Sequence, residues 1–187
     1  MRLFLSLNLL PDVKERFYTV QKELIERTKF IPRNAIKWED KSKFHLTLFF
    51  LGDVEQEKME NLILDLENFS AQLKFREFLL ESSGIGCFPN LKKPRVIFAD
   101  VKNNDDIVFD FYRQLIVPLE KNSFIPDKKF YLHITFGRVK YTGKLNIENE
   151  IQNTNFSINF SADSFYLMQS ILVSTGSVYR EVKKFAI

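Results

Sequence analysis

Apolar positions along this chain recur with two periods, and the switches between them outline its elements. Leu3 to Asn8 predicts a strand. Pro11 to about Thr28 carries Val13, Phe17, Val20 and Leu24 at helical spacing; Pro11 suits a first turn and Asp12 favours it. Phe30 to Ser42, with Pro32 and Trp38, reads as a loop. Phe44 to Leu51 is a nearly continuous apolar strand stopped by Gly52-Asp53. So apolar a run implies burial on both faces, with His45 at the strand end or lining a cleft. Val54 to about Leu73 predicts a second helix, with Met59, Leu62, Ile63, Leu66 and Leu73 on one side.

Phe75 to Ser83 predicts a strand, Ser82 to Pro89 a turn, and Arg95 to Val101 another strand. A third helix is expected over Asp105 to Glu120, with Val108, Phe111, Leu115 and Leu119 inward and Asp105 as its cap. A loop with Pro126 spans Lys121 to Lys129, and Tyr131 to Val139 predicts a strand. Gly143 to Asn153 reads equally as helix or loop. Phe156 to Phe160, Asp163 to Val173 and Val178 to Phe185 complete the strands, the last two linked through Thr175-Gly176-Ser177.

Strands mixed with helices, without regular βαβ repetition, point to an α+β architecture with helices packed outside antiparallel or mixed sheets. Phe44–Leu51 and Tyr131–Val139 lie roughly ninety residues apart, each after a helix and a proline-containing loop. That spacing predicts a two-lobed pseudo-repeat. At 187 residues the chain suits one domain or two small lobes.

The same two strands carry the chemistry. The chain has two histidines, and each opens a tetrapeptide of one pattern: His45-Leu46-Thr47-Leu48 and His133-Ile134-Thr135-Phe136. With seven threonines in 187 positions, both histidines have a threonine two residues on by chance about once in seven hundred. Residues i and i+2 of a strand share a face. Side by side, the strands would bring two imidazoles and two hydroxyls to one pocket. Imidazoles move protons near neutral pH, and hydroxyls donate to phosphate oxygens.

Composition narrows the alternatives. Forty-five per cent hydrophobic and 27% charged is ordinary for a globular chain. The single cysteine, Cys87, excludes an internal disulfide framework and a thiolate metal cluster, and fits a reducing compartment. The N-terminal apolar stretch is interrupted by Ser6 and Asn8 and ended by Pro11-Asp12, so it reads as a first strand, not a signal peptide. No apolar run approaches membrane-spanning length. The net charge of +3 is only mildly basic. Its placement says more: Lys41 and Lys43 precede His45, Lys128 and Lys129 precede His133, Arg138 and Lys140 follow it, and Lys92, Lys93 and Arg95 form a third group. Some of these suit a polyanionic ligand. No third metal ligand stands near either His-x-Thr, no Gly-x-Ser-x-Gly elbow is present, and Gly84 and Gly86 make a turn and no phosphate loop.

Taken together, these residues make the chain similar to the two-histidine phosphoesterase superfamily, specifically to its RNA 2′,3′-cyclic phosphodiesterases, historically called 2′-5′ RNA ligases. The resemblance runs nearly end to end. It is carried by Met1–Leu5, Trp38 with Phe44–Gly52, Gly86–Pro89 with Pro94–Phe98, His133–Val139, and Phe165–Ser170 with Tyr179. It departs at Phe136-Gly137, where the second motif more often runs Leu-Ala before its arginine.

The resemblance implies one bilobal α+β domain over residues 1–187, two pseudo-symmetric sheet lobes with outer helices around a central cleft. It implies hydrolysis of a terminal 2′,3′-cyclic phosphate of RNA to a 2′-phosphomonoester, with no metal and no cofactor. It makes His45 the proton donor, His133 the proton acceptor, and Thr47, Thr135 and Arg138 the phosphate contacts. Arg95 and Phe88 are expected to serve strand solubility and core packing. A cytoplasmic monomer acting on RNA or a nucleotide is expected. Two other readings stay open: a phosphodiesterase on another cyclic or 2′-5′-linked nucleotide (or 2′-5′ RNA ligation), and a non-catalytic RNA-binding module. A pure binder has no need of paired proton carriers, which favours an enzyme.

Overall fold

The two sequence periods resolve into strands and helices in a computed structural model that describes residues 1–103, 105–140, 145–174 and 176–187. In chain order they are β1 (Arg2–Asn8), α1 (Pro11–Arg27), β2 (Ile36–Trp38), β3 (His45–Asp53), α2 (Gln56–Gln72), β4 (Phe78–Phe88) and β5 (Val96–Lys102). Then follow α3 (Ile107–Lys121), β6 (His133–Val139), α4 (Glu148–Gln152), β7 (Ile158–Ala162), β8 (Ser164–Val173) and β9 (Gly176–Ala186). The strands form one curled antiparallel sheet in the order β7-β4-β5-β6-β3-β1-β8-β9, with β2 also beside β6.

The α+β expectation holds, and the two lobes are halves of this single sheet. They join where β3 meets β6, in register at one pair, Leu46 opposite Ile134. Both side chains are fully buried, on the face that the helices cover. There Phe17 of α1 packs edge-on against Phe136 and Phe160, and Phe69 of α2 packs against Phe111 of α3 and Phe165 of β8. Burying side chains of this size contributes roughly 1.5–3 kcal/mol each, so the seam that carries both motifs is anchored from its apolar side.

Three local expectations need correction. Ile36–Trp38 is a strand, although Phe30–Ser42 reads as a loop. Three residues are too few to show alternation, and the strand exists because β6 offers an open edge: Ile36 pairs with Val139 and Trp38 with Gly137. β4 runs through the expected turn to Phe88, absorbing the glycines as a register shift between Ser82 and Ile85. The third helix starts at Ile107, and Asp105 only accepts from the Ile107 N–H at 3.4 Å. The ambiguous stretch ends in a short helix, α4; Gly143 and Lys144, and Thr175 of the last turn, lie outside the described residues.

Gly137 explains the departure noted in the second motif. A Cβ there would lie 2.9 Å from Ile36 Cγ2 and 3.0 Å from Trp38 Cε3. Its absence lets β2 close against β6.

Candidate active site

Along β6 burial alternates from His133 to Phe136: His133 and Thr135 are half-buried, Ile134 and Phe136 buried. β3 begins the same way, with His45 and Thr47 half-buried and Leu46 and Leu48 buried. All four motif side chains therefore face away from the helices, onto the other side of the sheet. Counting outward from Leu46 opposite Ile134 in an antiparallel pair puts His45 across from Thr135 and Thr47 across from His133. The motifs are related by a local two-fold through that pair. Each imidazole lies between its own threonine and the other's.

Both rings are held alike. His45 Nδ1 is 2.6 Å from the Lys43 carbonyl oxygen, and His133 Nδ1 is 2.9 Å from that of Tyr131. A carbonyl only accepts, so Nδ1 carries the proton in each ring and Nε2 is free to exchange one. His45 Nε2 lies 3.0 Å from Thr47 Oγ1, close enough to accept from the hydroxyl when neutral.

Arg138 reaches this face through a bulge. Strict alternation from His133 would turn residue 138 toward the helices. The β5–β6 register instead runs from Phe98 opposite Thr135 to Ile97 opposite Gly137, leaving Phe136 as an extra residue. Phe136 and Gly137 are consecutive buried positions, and Arg138 returns to the cleft side, where its Nε lies 3.5 Å from Glu39 Oε1. A similar register shift in β3 brings Phe50 out opposite Phe4 of β1.

Aromatic rings wall each histidine. Phe4 and Tyr179 lie with ring centroids 5.1 and 5.3 Å from His45. Phe88 and Phe98 lie 5.1 and 5.2 Å from His133. Gly86 makes room for the Phe98 ring, since a Cβ there would lie 2.4 Å from it. Phe88 is thus a cleft residue and Cys87 a strand residue, not the core and turn residues expected of them. Burial pushes the Cys87 thiol up to about 12, so it offers no thiolate at neutral pH.

Desolvation lowers both imidazoles. His45 falls to about 4, through burial first and then the charges of Lys14, His133 and Arg138, opposed by its bond to the Lys43 carbonyl. His133 is lowered by burial and Arg138, opposed by the Tyr131 carbonyl and Asp100. In the free protein at pH 7 both rings are neutral. Below pH 6.5 the unfolded chain takes a proton on His45 that the folded protein refuses until about pH 4. Stability is therefore full above 6.5 and falls through that window, by up to about 1.4 kcal/mol per pH unit from this residue. In urea unfolding across pH 7 to 4, His45→Gln should flatten the decline by roughly that slope. Identical slopes in both proteins would disprove the assigned shift.

The basic groups divide. Lys14 donates to the Ser42 carbonyl at 2.8 Å and its charge reaches His45. Lys41 pairs with Glu15, and Lys128 with neighbouring Asp127. Lys92, Lys93 and Arg95 are exposed at and just beyond the Asn90 turn. Among the described residues, no group of three His, Cys, Asp or Glu side chains could hold a metal ion, and no helix is long and apolar enough to cross a membrane.

Comparison with known proteins bears on what this cleft does. The profile described as LigT-like phosphoesterase matches residues 11–98, a stretch that includes the first motif. An RNA 2′,3′-cyclic phosphodiesterase of Thermotoga maritima is 30% identical over 96% of this chain and 92% of its own. One of Archaeoglobus fulgidus is 29% identical over 99% of both. A solved protein of Thermus thermophilus superposes with a TM-score of 0.79 at 26% identity, over 100% of this chain and 97% of its own.

Proposed function

Because this chain belongs to the LigT-like phosphoesterases, the family of the RNA 2′,3′-cyclic phosphodiesterases it matches end to end, we propose that its cleft opens a terminal 2′,3′-cyclic phosphate of RNA to a 2′-phosphomonoester. The observation that carries this reading is the local two-fold at Leu46 and Ile134, with both Nε2 atoms released by Nδ1 bonds to backbone carbonyls.

His45 is the proton donor and His133 the acceptor. His133 Nε2 takes a proton from water as the water oxygen bonds to phosphorus. The P–O3′ bond breaks, and O3′ takes a proton from His45 Nε2. Thr47, Thr135 and Arg138 donate to the non-bridging oxygens, whose charge grows in the transition state. His45 is neutral in the free protein, so it must gain its Nε2 proton with the substrate, whose phosphate charge favours the imidazolium against the burial and the Lys14 and Arg138 charges that lower it. The protein works as a monomer in the reducing cytoplasm.

The test is an RNA oligonucleotide ending in a 2′,3′-cyclic phosphate, incubated with purified protein and analysed for the position of the product phosphate. A 2′-phosphate is expected, at an unchanged rate in excess EDTA. A 3′-phosphate, or no turnover with tight RNA binding, would overturn the reading. Activity lost to EDTA and restored by zinc, manganese or magnesium would overturn the metal-free mechanism.

A further inference from the structure

The local two-fold relates the motifs, but their neighbours on the flanking strands differ. On β1 the residue opposite His45 is Asn8, and on β5 the residue opposite His133 is Asp100. One imidazole thus has a neutral amide beside it and the other a carboxylate. The Asn8 side chain is turned to the Ser6 hydroxyl, at 2.9 Å, and the Met168 sulfur, at 3.6 Å. Asp100 is held differently: its Oδ1 accepts from the Tyr131 hydroxyl at 2.8 Å, while the Tyr131 carbonyl takes the His133 Nδ1–H at 2.9 Å. A single residue, Tyr131, therefore clamps both the ring and the carboxylate beside it.

We propose that Asp100, clamped by Tyr131, is the positioning residue that fits His133 to be the proton acceptor of the reaction. This rests on the reading of His45 and His133 as the acid–base pair. When His133 Nε2 takes the proton from the attacking water, the ring becomes a cation in a half-buried cleft. The charged groups facing it are Arg138 from its own strand, His45 across the seam and Asp100 from β5. Arg138 opposes the new charge, and Asp100 favours it. Around His45, by contrast, the acting charges are Lys14, His133 and Arg138, which all favour loss of its proton. The asymmetry is one of sequence: Asn8 and Asp100 fill matching places, and only one is charged. Burial and Asp100 itself push the Tyr131 phenol up to about 12, so the clamp keeps its proton at working pH.

The experiment uses the full chain with Asp100→Asn, Asp100→Glu and Asn8→Asp. The readouts are kcat and KM against pH on a cyclic-phosphate oligonucleotide, and the titration of the two histidine ring protons by NMR. With two histidines in the chain, one signal of each pair is assigned by His133→Ala. Asp100→Asn should lower kcat about tenfold to a hundredfold, with KM within about twofold. It should move the acid limb of kcat and the His133 titration to lower pH, leaving His45 in place. Asp100→Glu should recover part of both. Asn8→Asp should raise the His45 titration and leave that of His133 in place, which keeps the effect of a carboxylate at this register position testable if Asp100→Asn folds poorly. An unmoved His133 titration, or an unmoved kcat, in folded Asp100→Asn overturns the proposal. Full turnover in His133→Ala overturns the acid–base reading instead, while the titrations still report whether Asp100 acts on His133.

Discussion

Replacing either histidine, His45→Ala or His133→Ala, should remove nearly all hydrolysis, a fall of about 10²- to 10⁴-fold in kcat. In the proposed mechanism the two rings hold complementary duties, so neither replaces the other. Each Nε2 is committed to the cleft because each Nδ1 is committed to a carbonyl, Lys43 O or Tyr131 O. The double variant should be little worse than either single one, since residues that act as a unit are non-additive. Folding should persist, because the rings lie on the open face of the sheet while Leu46 and Ile134 hold the seam from the buried side. Affinity for a 2′-phosphate product should fall only modestly while Thr47, Thr135 and Arg138 remain. Turnover, thermal midpoint and product affinity measured on all three variants decide the matter. Full turnover without either histidine would sink the two-histidine mechanism.

Thr47→Val and Thr135→Val should each lower kcat/KM by about tenfold to a thousandfold, roughly 1.4–4 kcal/mol of lost transition-state stabilisation. Valine keeps the size and branching that suit a strand and removes only the hydroxyl donor. The two sites differ in the resting protein. Thr47 Oγ1 lies 3.0 Å from His45 Nε2, and in the proposed mechanism it turns from the ring to a phosphate oxygen. Thr135 sits opposite His45 across the seam, by the antiparallel count from Leu46 and Ile134. Steady-state kinetics on the oligonucleotide give the comparison, with unfolding curves as the control. Wild-type kcat/KM in both variants would make the hydroxyls structural.

Much of this is legible in the sequence. The helix at Pro11–Arg27 follows from the spacing of Val13, Phe17, Val20 and Leu24, all buried on the sheet. The shared face of His45 with Thr47, and of His133 with Thr135, follows from the two-residue period of a strand. Those are local properties: rise and rotation per residue are set by the backbone, so spacing along the chain fixes direction in space over a few residues. β2 is hidden because three residues carry no period, and the continuation of β4 through the turn expected at Ser82–Pro89 is hidden because a bulge can take up turn residues without ending a strand.

By itself, then, the sequence determined the α+β class, the elements long enough to show a period, and which residues pair within each motif. Only the tertiary structure decided which residues the motifs meet. Arg138 faces the same side as His45 and His133 because Phe136 is bulged against β5, which reverses the phase that alternation from His133 would impose. Phe4, Phe88, Phe98 and Tyr179 reach the histidines because β1 pairs with β3 and β8, and β5 with β6, strands far apart in the chain. Asn8 and Asp100 differ in meaning only because register sets them opposite His45 and His133. Register and bulges are settled by packing across the sheet, where a slip of one residue exchanges the buried and open faces, and that energy belongs to no single segment of the chain.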